Sequence, residues 1–123
     1  MRANPVCWFE IYVDDMPRAQ AFYQQVLQVT LQPLPVDGIQ MLAFDMDEKV
    51  VGAGGSLIHV PGVKAGNNST IVYFACEDCA NEESRVVAAG GQVLRPKMSI
   101  GPYGFVSLAL DTEGNTIGLH SMQ

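Results

Sequence analysis

A strand, a helix cap and a helix are written into this sequence twice, in the same order and at a fixed spacing. From Val6 to Val13 the segment VCWFEIYV is rich in β-branched and aromatic residues and reads as a strand. Asp14 and Asp15 follow as N-cap candidates, Pro17 suits a first helical turn, and Ala21, Phe22, Val26 and Leu27 form an apolar stripe at helical spacing. The same succession recurs downstream. Thr70 to Cys76 reads as a strand, Asp78 as a cap, and Val86, Val87 and Ala89 as a helical stripe that stops at Gly90-Gly91. A shift of 63 positions lays Asp15 on Asp78, Val13 on Cys76, Leu31 on Leu94 and Gly55 on Gly118.

After each helix the pattern changes to short strands separated by Gly, Pro and Asp-rich turns. They fall at Val29–Val36, Ile39–Asp45 and Gly54–Val60, then at Gln92–Pro96, Phe105–Leu110 and Thr116–His120. The predicted class is therefore α+β, with two βαβββ units, one over about residues 5–60 and the other over about 69–121, forming a curled mixed sheet around a concave cavity. Neither unit is long enough to bury both faces of its own sheet, so the 123 residues are expected to form one domain with a shared core.

Charge excludes some partners. Seven Lys and Arg stand against 13 Asp and Glu, and Arg85, Arg95 and Lys97 are scattered, so no basic surface is expected for a nucleic acid. No apolar run approaches the ~20 residues of a membrane helix, and Met1 to Pro5 lacks the apolar stretch of a secretory signal. An odd set of three cysteines argues against a secreted disulfide framework, and the expected location is the cytoplasm.

Three stretches together carry a family resemblance: V-D-D-M-P-R-A-Q-A-F-Y-Q-Q-V-L (13–27), A-A-G-G-Q-V-L (88–94) and L-D-T-E-G-N-T-I-G-L-H (110–120). In order and spacing they resemble the vicinal oxygen chelate superfamily of glyoxalases, bleomycin-resistance proteins and extradiol dioxygenases, over nearly the whole chain. One departure is Gln28, where that family usually has Gly. The resemblance implies a homodimer, and a divalent metal bound by His or Glu from the first and last strands of each unit. Carried over by position, the four ligand sites fall on Trp8, Ile71, Gly55 and Gly118. None of these is a usual ligand for a divalent cation. The expectation is no metal at the family's centre and no cofactor, with an inward Trp8 accommodated by Gly55 and Gly118 and its indole N–H received by Glu10 or His120.

Strand alternation places Trp8, Glu10 and Tyr12 on one face, and Gly118 with His120 on one face of the last strand. Glu10 is a candidate general base in a partly apolar cavity, beside the plainer role of a hydrogen-bonded wall residue. His120 is a candidate for proton transfer or ligand binding, and His59 holds a comparable place in the first unit, although surface histidines are common at strand ends. Cys76 and Cys79 form C-x-x-C at a strand-to-helix junction, which suits a redox pair. Cys76 nevertheless matches Val13 in the duplicate, so a small apolar role under the helix is the stronger reading. Tyr103, in the loop Lys97 to Gly104, offers a ring or hydroxyl at the cavity mouth, and the same loop also reads as turn chemistry.

Three functions are open at this level. The first is a metal-free protein, like the bleomycin-resistance branch, that binds a small organic ligand through Trp8, Tyr12, Tyr73 and Tyr103, with Gly55, His59 and Gly118 lining the site. The second is a lyase or isomerase related to glyoxalase that uses Glu10 and His120, or a metal held elsewhere. The third is an interaction module whose cavity is filled.

Overall fold

In the computed structural model, which describes residues 4–123, each unit closes as a four-stranded sheet backed by one helix. The first unit contains β1 (Trp8–Tyr12), α1 (Met16–Leu27), β2 (Gln32–Pro33), β3 (Gln40–Ala43) and β4 (Gly54–His59). The second contains β5 (Val72–Ala75), α2 (Cys79–Val86), β6 (Gln92–Ser99), a 3-10 turn (Gly101–Tyr103), β7 (Phe105–Leu110) and β8 (Thr116–Ser121). Strand orders are β1-β4-β3-β2 and β5-β8-β7-β6, with β1 parallel to β4 and β5 parallel to β8. The predicted βαβββ repeat is therefore present in full, and β1 and β5 are both edge strands.

Local chemistry sets the helix limits. The Asp15 carboxylate accepts from Arg18 N–H at 3.0 Å, and the Asp78 carboxylate accepts from Ala80 N–H at the same distance, so both expected caps form. Gln28 ends α1 with φ 57°, a left-handed conformation that glycine adopts without strain. The second helix stops at Val86, earlier than the stripe implied. Val87 is exposed, and the Gly91 N–H closes the end on the Val86 carbonyl. The long strand expected over 29–36 shrinks to two residues, because Pro33 and Pro35 have no N–H for a ladder.

The core lies on the helix side of the sheets. Met16, Ala19, Phe22, Tyr23 and Val26 are buried at helical spacing against Ile11, Val13 and Leu57. The two units share this core. Phe74 of the second lies 6.1 Å from Phe9 and 5.6 Å from Phe44 of the first, ring centre to ring centre, and Tyr23 stands beside both Phe44 and Phe74. A fully buried aromatic residue contributes roughly 2–3 kcal/mol from the apolar area it removes from water.

The sequence repeat needs one adjustment. Val13 N–H donates to the Ile58 carbonyl, and its counterpart Cys76 N–H donates to the His120 carbonyl. The first strand and helix of the units thus match at a shift of 63, while β4 and β8 match at 62. Gly118 corresponds to Ser56 and not to Gly55.

Candidate functional site

Register decides which side chains share a face. Trp8 pairs with Gly54, Phe9 with Gly55 and Glu10 with Ser56. Trp8, Glu10 and Tyr12 therefore stand on the face away from α1, as alternation predicted. Gly55 does not: a Cβ there would meet the Phe9 ring, on the helix side. Nor does His59, four residues along the same strand, whose Nδ1–H donates to the Val13 carbonyl at 2.8 Å. In the second unit Gly118 lies under the Tyr73 ring. The expectation that Gly55 and Gly118 make room for Trp8 is thus corrected: they accommodate Phe9 and Tyr73. The indole N–H of Trp8 reaches Glu10 Oε2 at 3.3 Å, one of the two acceptors foreseen.

The remaining candidates form a separate group. His120 Nε2–H donates to the Tyr103 carbonyl at 2.7 Å, so these two residues are neighbours on the second unit. The Tyr103 ring is largely exposed, and Glu10 is exposed as well. The C-x-x-C pair has the wrong electrostatics for a nucleophile. Burial, then the nearby Glu82 carboxylate, pushes the Cys76 thiol up to about 12, and Cys79 is fully buried.

A cavity of about 400 Å³ opens where the edge strands of the two units face each other. Its walls are Phe9 to Tyr12 of β1, the connecting residues 63–66 and 68–70, Val72 of β5, and Asn115 to Ile117 at the start of β8. Glu10 and Tyr12 line it, whereas Trp8, Gly55, His59, Tyr73, Tyr103, Gly118 and His120 do not.

What fixes this gap is a motif whose role was not read from the sequence. Asp111, Glu113 and Asn115 occupy the turn before β8. Asp111 Oδ1 accepts from the N–H groups of Glu113 and Asn115, and Asp111 Oδ2 accepts from the Tyr23 hydroxyl and Asn115 Nδ2. Glu113 then reaches across to the start of α1. Its Oε1 accepts from Asp14 N–H, Asp15 N–H and Arg18, and its Oε2 from Arg18 and Thr112. Burial alone would raise this carboxyl. The Arg18 guanidinium, the two backbone N–H groups and Thr112 outweigh it and hold the pKa at about 2. Asn115 completes the junction, donating to the Tyr12 carbonyl and accepting from Gly66 N–H. The signal available in sequence was an acidic residue inside a D-x-x-G-N turn, with nothing local to show its distant partner.

The metal sites implied by the resemblance can be tested on these residues. Trp8, Ile71 and Gly118 have no ligating atom suited to a divalent ion, and the structural counterpart of Gly118 is Ser56, whose buried Oγ has no hydrogen-bond partner. One hydroxyl among these neighbours does not fit a divalent metal. Among the described residues no three His, Cys, Asp or Glu side chains come together as a metal-ligating group.

Paired βαβββ units whose edge strands enclose a cavity define a class of small α+β proteins built by duplication. The chain belongs to the Glyoxalase/Bleomycin resistance protein/Dioxygenase superfamily, whose family model matches residues 6–119. Among solved structures it is similar to glyoxalase I from Zea mays, with a TM-score of 0.76 and 19% identity over 96% of this chain and 46% of that one. The chain thus spans about half the length of the maize enzyme. It is also similar to TnmS3, an antibiotic binding protein from Streptomyces sp. CB03234, with a TM-score of 0.69 and 26% identity over 98% of both chains. A glyoxalase-related enzyme from Fulvimarina pelagi gives a TM-score of 0.69 and 19% identity over 97% of this chain and 88% of that one. No curated protein matches the sequence. No helix among the described residues is long and apolar enough to cross a membrane.

Proposed function

We propose that this protein binds a small organic ligand in the cavity between its two units, without a metal at the family's centre. The observation that carries this reading is the cavity itself, walled by both units and mixing apolar surface from Tyr12, Val72 and Ile117 with polar groups from Glu10 and Thr70. Its volume lies within the range of small-molecule sites. Likeness along the full length to an antibiotic binding protein supports the same class of activity. Trp8 and Glu10, joined by a hydrogen bond, place the chain's single tryptophan beside the cavity wall.

The reading extends to a cytoplasmic homodimer. Tyr73 and Met98 leave apolar surface exposed on the side of the second sheet away from α2, and a second copy would cover it. Sedimentation analysis would detect that dimer, and a monomer at micromolar concentration would remove this part of the proposal.

Metal analysis of the purified protein, together with Trp8 fluorescence and thermal-shift screens of divalent cations and organic compounds, tests the main reading. The expected result is no stoichiometric metal and a saturable response to an organic compound that is weakened by Tyr12→Ala. Bound metal with strong stabilisation by one cation, or no response to any organic compound, would overturn it.

A further inference from the structure

The same cavity contains the open edge of β1, and its main-chain pattern specifies what kind of ligand fits there. β1 is hydrogen-bonded to a strand on one side only, by its parallel partner β4. In a parallel ladder the N–H and C=O of one residue point to the same side, and successive residues alternate. Val13 N–H donates to the Ile58 carbonyl, so Phe9, Ile11 and Val13 address β4 while Glu10 and Tyr12 address the opposite side.

The second unit already occupies one end of that opposite side. Asn115 Nδ2 donates to the Tyr12 carbonyl at 2.9 Å, and Glu113 accepts from Asp14 N–H at 2.8 Å. Further back along the strand, no hydrogen bond between described residues engages the Glu10 carbonyl or Tyr12 N–H. These two groups flank Ile11 and border the cavity. An acceptor and a donor so placed are what an added strand residue requires, since its own N–H and C=O would meet them in turn.

We infer that the cavity recognises a ligand carrying an N-acyl amino amide unit. Its N–H donates to the Glu10 carbonyl and its C=O accepts from Tyr12 N–H, as a short strand added to β1. This rests on the reading of the cavity as a ligand site.

The test uses the whole ¹⁵N-labelled chain and three probes: N-acetyl-valine methylamide, the same compound methylated on the valine nitrogen, and 1-naphthol, which has no amide. The diamide is expected to shift the Tyr12 amide resonance and to bind about tenfold more tightly than its N-methylated form. Tyr12→Pro removes only the edge-facing N–H from the main chain, a change tolerated on an edge strand, and should abolish the difference, while Tyr12→Ala should retain it. If Tyr12→Pro does not fold, the two diamides on the unaltered chain still decide the matter. Equal affinity of the two, or naphthol binding in the cavity with no diamide binding, would overturn the amide inference and leave the ligand-site reading standing. Cavity resonances unmoved by all three probes would overturn both.

Discussion

Replacing Glu113 by Gln should loosen the junction between the two units, and the loss should fade in acid. The side chain is sequestered and accepts bonds from Asp14 N–H, Asp15 N–H, Arg18 and Thr112. Gln keeps one acceptor oxygen, turns the other into a donor facing donors, and removes the charge opposite Arg18. The folded pKa of about 2 against an ordinary 4.5 sets a ceiling of roughly 3 kcal/mol, at ~1.4 kcal/mol per unit. Arg18 is 51% exposed, so solvent screening lowers the expected loss to about 1–2 kcal/mol. The sign follows from the direction of the shift. A carboxyl held below its unfolded value stabilises fully above pH 4.5, and that contribution disappears as pH falls toward about 2. Urea unfolding of Glu113→Gln and the unaltered protein should show the full gap at pH 7 and a much smaller one at pH 2.5. A gap below about 0.5 kcal/mol at pH 7, or one that is constant across this range, would refute the reasoning.

Gln28→Gly should raise unfolding free energy by about 0.5–1 kcal/mol in chemical denaturation, because the position is left-handed. Gly55→Ala should cost about 1–3 kcal/mol in the same assay, since its Cβ meets the Phe9 ring, which is held among Phe44 and Phe74. Gly118→Ala should cost less, because the Tyr73 ring that it meets is half exposed and free to swing away. With iodoacetamide at pH 7.5, mass spectrometry should find Cys7 modified first, with Cys79 protected by burial. Cys76 should react slowly, its thiolate becoming abundant only as pH approaches about 12.

The duplication was legible because its markers are local. An aspartate cap, a helical apolar stripe and a glycine stop each announce themselves within a few residues, and two copies in the same order reinforce one another. The one-residue slip between β4 and β8 was not legible, because the intervening turns carry no common marker and a single residue moves every side chain to the other face. That slip is why Gly55 and His59, expected in the cavity, lie on the helix side. Trp8, Glu10 and Tyr12 were placed on the correct face because β1 leads directly into a well-marked cap. The reach of Glu113 across to α1 lay beyond any local pattern.

The two units are alike in topology but not in how their helices begin, and this asymmetry shapes the cavity. The Asp78 cap of α2 is paired with Lys97 of its own unit, at 2.8 Å. The Asp15 end of α1 instead receives Glu113 from the other unit, and Asn115 beside it takes the Tyr12 carbonyl. The turn before β8 therefore fastens onto the C-terminal end of the β1 edge and stops there. A continuous strand pairing between β1 and β5 would have closed the sheets on each other and consumed the edge. Along the β1 edge, side chains make the join at one end only, so a main-chain donor and acceptor stay open to the cavity while the units share a core on the helix side.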